Sequence, residues 1–456
     1  MTERQRYLEI TVPVPGDPML HAARLARHGP HEQYVVYERA GEWCYAAGAE
    51  AELTLFPDRV DLRTGTEHVS TPCGDEPLRQ VHLTLDKLPF DGWRAYGWAS
   101  FELSYTLAGR PEQQAAGPAE DLLMHLVVPA VEVRVRSGEA LIRCTDPAMA
   151  DKIRRLLADP DAEPVPAPAL RVDIVGSGRE PYQAAVSAAV SAIRGGELHK
   201  VILSRTVDVD QEIDLIDTYV TGRRANNPAR SFLLRLGGIE AAGFSPETVV
   251  EVGADGAVST QPLAGTRALT GDATQDERLR LELLADPKEV YEHAISVQVA
   301  WNEMTAVCAP GSARVEELMG VKQRGSVQHL ASRVTGRLAE RTEGPWPALA
   351  AVFPAVTASG VPKTAAYEVI RRHESEPRGL YSGAVLMVGS AGDLDAALVL
   401  RTVYRRGGRT WLRAGAGIVG ESRPEREFEE TCEKLRSVSR HLVPADGASD
   451  APSGTT

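Results

Sequence analysis

The sequence predicts an α+β protein in which antiparallel sheets form a sandwich core covered by helices. Three observations lead there: strand-period segments come in runs, turn signals separate them, and helical stretches fall singly between the runs without a recurring βαβ unit. Early in the chain, Val35-Val-Tyr-Glu38, Leu53-Thr-Leu-Phe56 and Val131-Glu-Val-Arg-Val-Arg136 alternate apolar and polar residues with period two. An apolar-faced helix is expected over 181–193, stopped by Gly195-Gly196, and a strand over 199–205 follows at once. Next come a helix over 215–224 and a meander of strands at 232–236, 248–252 and 257–260, with Ala254-Asp-Gly256 as a turn. A second meander runs through 380–388, 394–405 and 410–414 and turns at Gly407-Gly408.

At 456 residues the chain has length for two or three domains or for one large unit with ample core. The proline-rich, acidic run between Leu156 and Leu170 reads as an exposed connection. It divides a strand-rich part, 1–170, from a motif-rich part, 171–443. The tail, 444–456, has little to bury and is expected to be disordered. Cys44, Cys73, Cys144, Cys308 and Cys432 are scattered, odd in number and without C-x-x-C spacing, so neither a disulfide framework nor a zinc site is indicated and a reducing cytoplasm fits. The first residues lack the apolar run of a secretory signal, and no stretch has the length of a membrane span, so a soluble protein is expected. A net charge of −13 argues against a nucleic-acid partner, and an anionic small substrate would need a locally positive pocket.

Two acidic helical motifs stand out, Asp286-Pro-Lys-Glu289-Val-Tyr-Glu292 and Glu427-Phe-Glu-Glu430-Thr-Cys-Glu-Lys434. Each sets two carboxylates one turn apart, and two such faces brought together need a cation between them, for which oxygen-only ligands suit Mg²⁺. Plainer readings compete from spacing alone. Ser422 and Glu425 can form a capping box, Glu430 and Lys434 an exposed i, i+4 ion pair, and Asp286 with Glu289 a cap across Pro287. Glu292, inside a helix that continues through His293, lacks the capping role that accounts for Glu289.

Lys200 lies in an apolar strand, where it is an edge residue or, if buried, a candidate general base. Glu247 follows a Ser-Pro turn and by itself reads as an exposed turn residue. Gly265-Thr266-Arg267 and Gly415-Ala416-Gly417 are places where backbone can approach an anion, although tight turns explain such patterns equally well. Tyr381 and Arg401, on adjacent expected strands, could hold a carboxylate or simply pack across strands. His329 reads as a core histidine in a supporting role. No G-x-S-x-G elbow, Walker loop, dinucleotide fingerprint opening a helix or H-E-x-x-H motif occurs, which removes the usual anchors of hydrolase, kinase and dehydrogenase readings.

Together, Lys200-Val-Ile-Leu-Ser-Arg205, Pro262-Leu-Ala-Gly-Thr-Arg267, Lys288-Glu-Val-Tyr-Glu-His293, Phe353-Pro-Ala-Val-Thr-Ala-Ser-Gly-Val-Pro-Lys363, Arg413-Ala-Gly-Ala-Gly-Ile418 and Glu425-Arg-Glu-Phe-Glu-Glu-Thr431 resemble, in order, the motifs of the chorismate-utilising enzymes. The resemblance spans roughly 180–442. It implies the single large fold shared by anthranilate, aminodeoxychorismate, isochorismate and salicylate synthases, with Mg²⁺ as cofactor and chorismate as substrate. The ammonia-using anthranilate enzymes typically carry glutamine in place of Lys200, so the resemblance implies water as nucleophile. Aminodeoxychorismate synthases commonly place a lysine where this chain has Ala264. Gly196 to Arg205, Gly325 to Leu330, Pro377 to Ala384 and Phe428 to Leu435 look most like the salicylate synthases of actinobacterial siderophore pathways, whereas Gln261 departs from the glutamate expected there.

For the individual residues, the resemblance implies Glu289, Glu292, Glu427 and Glu430 around Mg²⁺. Lys434, Gly415 and Gly417 would complete the shell of the ring carboxylate, and Tyr381 and Arg401 would hold the pyruvyl carboxylate. Gly265, Thr266, His329 and Ala416 count among the substrate-binding residues. Lys200 would be the general base and Glu247 the general acid. The expected partner is the small molecule alone, with no nucleic acid, membrane or amidotransferase subunit, and with the chain acting as a monomer. An isochorismate synthase and a catalytically silent anion binder remain the alternatives.

Overall fold

The computed structural model describes residues 6–110, 122–158, 170–325, 327–339 and 343–445. Most of the proline-rich connection and the tail beyond Ala445 lie outside the described residues. Two large antiparallel sheets face each other, one of eleven strands and one of twelve with Arg314–Arg324 paired on beside its path. Strands from before and after the connection interleave in both: Tyr34–Arg39 pairs with Arg230–Leu236 in the eleven-stranded sheet, and Arg94–Ala99 with Ala384–Gly389 in the other.

Both faces of the central strands are covered, so the strand at Val35, expected to alternate apolar and polar residues, is instead a continuous apolar run from Tyr34 to Tyr37. Val35 and Tyr37 point into the space between the sheets with Phe232, Val385 and Trp98, while Tyr34 and Val36 pack outward beneath helices such as Pro18–His28 and Leu215–Ala225. The twelve-stranded sheet is backed by helices Pro287–Val307 and Trp346–Val352. A fourth apolar cluster joins helices Arg179–Arg194, Lys363–His373 and Pro424–Ser439 to strand Lys200–Asp208. No helix among the described residues is long and apolar enough to cross a membrane.

Two expected meanders prove to be crossings from one sheet to the other. Residues 394–405 form two strands, Leu394–Leu398 in the twelve-stranded sheet and Thr402–Arg406 in the eleven-stranded one, with Arg401 between them at φ 52°. Likewise Arg230–Leu236 pairs with an unforeseen strand, Ile239–Ser245, before the chain crosses through Pro246-Glu247 to Thr248–Val252. Apolar composition cannot reveal such a crossing, because the strands on either side have the same amphipathic demands. The strand expected from 380 starts at Ala384, since Gly383 N–H bonds back to Leu380 in a turn. The hairpin at Gly407-Gly408 forms as expected, both glycines having positive φ.

A charged stitch binds the sheets where they touch. Asp395, fully buried in the twelve-stranded sheet, accepts from Arg230 Nε at 2.8 Å, Arg230 Nη2 at 2.7 Å and Tyr37 Oη at 2.5 Å, both partners belonging to the other sheet. Removing one partner of such a pair strands the other charge in the core. Asp395→Ala is expected to cost about 3–5 kcal/mol, read from urea unfolding; a loss below about 1 kcal/mol would rule out this role.

Candidate functional site

Both crossings deliver their central residue to one cavity. It measures about 800 Å³ with its mouth and is lined by Glu247 and Arg401 from the crossings, Gly265 and Thr266 from strand Leu263–Ala268, His329 from Val327–Arg337, and Gly415 and Gly417 from Arg409–Ile418. Lys200, Ile202 and Ser204 share one face of their strand with Arg413, Gly415 and Gly417 of the neighbour, and the opposite face, with Val201, Leu203, Ala416 and Ile418, packs into apolar core. Ala416 therefore turns its side chain away from the cavity. The two glycines make room: a Cβ on Gly415 would lie 2.8 Å from the Tyr381 hydroxyl, and one on Gly417 only 2.2 Å from Glu292 Oε1.

The two acidic helices meet at this wall. Asp286 caps Pro287–Val307, accepting from Lys288 N at 2.9 Å, with Pro287 at the first helical position. The buried stripe of that helix is polar for two turns, Glu289, Glu292, His293 and Ser296, and apolar thereafter, Val297, Ala300 and Met304. One face thus serves the site first and the core afterwards. In Pro424–Ser439 the expected Ser422 cap is absent: the helix starts after Arg423 without a side-chain cap, and Ser422 Oγ instead accepts from Val419 N at 3.1 Å. Glu289 is not a capping residue either; it accepts from Thr266 N at 3.1 Å and Arg267 Nη1 at 3.2 Å.

All four candidate carboxylates are buried, and each holds a cation. Glu292 pairs with Lys200 at 2.9 Å, Glu427 with Lys288 at 3.0 Å and Glu430 with Lys434 at 2.8 Å, while Glu289 takes Arg267. The Glu430–Lys434 pair is therefore an i, i+4 pair, but not an exposed one. Glu292 and Glu430 line the cavity, whereas Glu289 and Glu427 stand behind them. Burial pushes both Glu427 and Glu430 up; Lys434 and Lys288 more than offset this for Glu430, so that Glu430 stays ionised and its charge holds Glu427 high.

Lys200 is enclosed completely, its ammonium on Glu292 and, at 3.1 Å, on Ser296 Oγ. Glu247 is 2 % exposed rather than a surface turn residue. Its carboxyl accepts from Leu263 N at 2.8 Å and from the Thr357 hydroxyl, yet burial outweighs these and the pull of Lys200 and Arg401, raising it to about 7.

His329 is held neutral by burial and by the Arg401 cation. Its Nδ1 contacts Gly265 O at 3.2 Å, so with the proton on Nδ1 its Nε2 accepts from Arg401 Nη2. Arg401 also donates to Arg324 O at 2.8 Å, and burial together with Arg324 lowers it to about 10, still charged at neutral pH. Neither Arg401 nor Tyr381 lies on a strand; both occupy turns that lead into strands, and both line the cavity. Lys434 completes the cationic lining, donating to Gly415 O at 2.8 Å.

Sequence reasoning missed Thr357, Ser296 and the side-chain work of Lys288 and Arg267. Thr357 lies inside the Phe353–Lys363 motif and Lys288 inside the first acidic motif, so the motifs marked the place but not the contact. Oxygen-only donors suit a hard divalent cation, and Glu427 Oε2 is buried with no hydrogen-bond partner among the described residues. As the side chains lie, no three Asp, Glu, His or Cys residues among those described stand close enough to hold an ion, because lysines are interposed.

Residues 31–440 match the family described as chorismate binding enzyme, and the chain belongs to that family. It is 44 % identical to a salicylate synthase from Mycolicibacterium paratuberculosis over 95 % of this chain and 96 % of that one. It is 38 % identical to an anthranilate synthase component 1 from Haloferax volcanii over 85 % of this chain and 80 % of that one. The fold is that of the menaquinone-specific isochorismate synthase from Escherichia coli, with TM-score 0.70 and 22 % identity over 95 % of this chain and 94 % of that one.

The steric argument at Gly417 is open to test. Gly417→Ala is expected to push Glu292 off Lys200 and to lower stability by about 1–3 kcal/mol in urea unfolding. An unchanged midpoint would show that Glu292 can give way freely.

Proposed function

We propose that this protein is a Mg²⁺-dependent salicylate synthase, converting chorismate to isochorismate and then to salicylate and pyruvate. Its support is the combination of a buried lysine at position 200 with a carboxyl at position 247 that is still protonated near neutral pH, in a chain that matches a salicylate synthase over nearly its whole length. Lysine rather than glutamine at 200 selects water over ammonia in the family resemblance.

Chorismate carries two carboxylates. In the cavity Arg401, backed by His329, offers a guanidinium to the pyruvyl carboxylate together with the Tyr381 hydroxyl. The ring carboxylate falls to Lys434 and the backbone of Gly415 and Gly417. Glu289, Glu292, Glu427 and Glu430 are the residues to hold Mg²⁺, which when bound would neutralise the cluster and grip that carboxylate. Lys200, in the amine form that the role of base requires, takes a proton from the water that attacks ring carbon 2 as the double bond shifts and the hydroxyl on carbon 4 departs. Glu247, kept neutral by burial, gives its proton to that hydroxyl, so water is gained and lost in equal measure. Salicylate then forms by intramolecular transfer of the carbon 2 hydrogen to the pyruvyl methylene with cleavage of the carbon–oxygen bond. That step needs a held conformation more than a further catalytic group.

Lys200→Ala and Glu247→Gln should each abolish isochorismate formation while leaving circular dichroism unchanged; full activity in either variant removes the assigned role. Because Glu247 must be protonated to act, kcat/KM should fall as pH rises through about 7, and a profile flat to pH 9 would exclude it as the acid. Incubated with chorismate, the protein should release salicylate and pyruvate in equal amounts only with Mg²⁺, and Glu430→Gln should raise the Mg²⁺ requirement. Isochorismate alone would move the assignment to an isochorismate synthase.

A further inference from the structure

The four-glutamate cluster raises a question about how it exists without a divalent ion, and the answer points to one side chain. We propose that Lys288 is a stand-in cation: its ammonium occupies the electrostatic focus that the metal takes, and it must withdraw for the metal to bind. The inference rests on the reading of Glu289, Glu292, Glu427 and Glu430 as a Mg²⁺ site.

Three lysines serve the cluster, but only one is free to leave. Lys200 is fully enclosed and tethered to Ser296, and Lys434 is anchored on the Gly415 carbonyl. Lys288 has its one side-chain hydrogen bond among the described residues to Glu427, with Glu289 at 3.7 Å, and its side chain is 20 % exposed. It sits in the first turn of helix Pro287–Val307, where a cation opposes the helix dipole. The carboxylates alone keep it there.

A way out lies alongside. A second cleft, of about 980 Å³ including open solvent, is lined by Lys288 together with His199, Pro287, Tyr291, Gly420 and Glu421. The four-carbon stem of Lys288 can swing into it, where Glu421 among the lining residues offers a replacement carboxylate, while the main cavity, lined by Glu292 and Glu430, gives an ion its approach to the cluster. Two cations at one focus repel, so metal and ammonium compete. The cluster is thus tolerable in the fold before metal arrives, at the expense of metal affinity.

The experiment is isothermal titration calorimetry of Mg²⁺ into the full chain without substrate, for wild type and Lys288→Met, with thermal melting of both proteins with and without the ion. The variant should bind Mg²⁺ about tenfold or more tightly. Its metal-free form should melt lower than wild type, and Mg²⁺ should raise its melting temperature by the larger amount. Equal or weaker Mg²⁺ binding by the variant, where wild type does bind, overturns the role of Lys288 and leaves the metal site standing. Failure of wild type to bind Mg²⁺ overturns the metal reading and this inference together. Should Lys288→Met not fold, Lys288→Gln carries the same comparison.

Discussion

Four carboxylates buried within one wall, each neutralised by a named cation, form the constraint around which the rest of this structure is arranged. An unpaired ion in such a place would cost several kcal/mol, so the geometry of the cations is as demanding as that of the acids. Lys200 has to be on the strand face that meets Glu292, which fixes the register of Lys200–Asp208 against Arg409–Ile418. Gly417 has to lack a side chain because the Glu292 carboxylate fills its space. Gly265, at φ 80°, has to turn so that Thr266 N reaches Glu289. A one-residue slip in the Lys200 strand would put Val201 against Glu292 and the ammonium into apolar core.

The sandwich explains where the two remaining chemical groups come from. Chain crossing between facing sheets leaves the ladder for a residue or two, and those residues are free to aim side chains into the space between sheet ends. Glu247 and Arg401 occupy the two crossings, and both are buried because the sheets continue on either side. Arg401 adopts a left-handed conformation that costs a non-glycine residue about 1–3 kcal/mol. The bonds to His329 and the Arg324 carbonyl hold it there, as does the pairing of the strands it joins. Arg401 thus presents at the cavity wall a guanidinium with no carboxylate at ion-pair distance among the described residues.

The sequence made the sheets, the glycine-ended helix, the Asp286 cap and the hairpin at Gly407-Gly408 legible, since each depends on a few adjacent residues. It did not reveal the crossings at 246–247 and 399–401, where strands of one composition change sheet without a change of pattern. Spacing left Glu427, Glu430 and Lys434 divided between an exposed ion pair and a buried site, because i, i+3 and i+4 relations are the same in both. The motif resemblance broke that tie by bringing residues from distant segments into one set. Ser422 shows the opposite failure: a local capping signal was overridden when the serine found Val419 N–H instead. For Thr357 the motif marked the segment but not the contact, for its partner Glu247 lies 110 residues away.

The acid–base division in this cavity follows from how each carboxyl is surrounded rather than from residue type. Glu247 and Glu430 are both glutamates inside the protein, yet burial wins at Glu247, where two hydrogen-bond donors and more distant cations are the only compensation, and loses at Glu430, where Lys434 touches the carboxylate and Lys288 stands close. One group therefore keeps its proton, and the other its charge. The same contrast operates over the whole molecule. A chain with net charge −13 repels a dianion from most of its surface, and the cavity differs in that Arg401 and Lys434 line it beside glutamates already paired with lysines. Local neutralisation of the glutamates by lysines is what allows a pocket that attracts anions to be built partly from acidic walls.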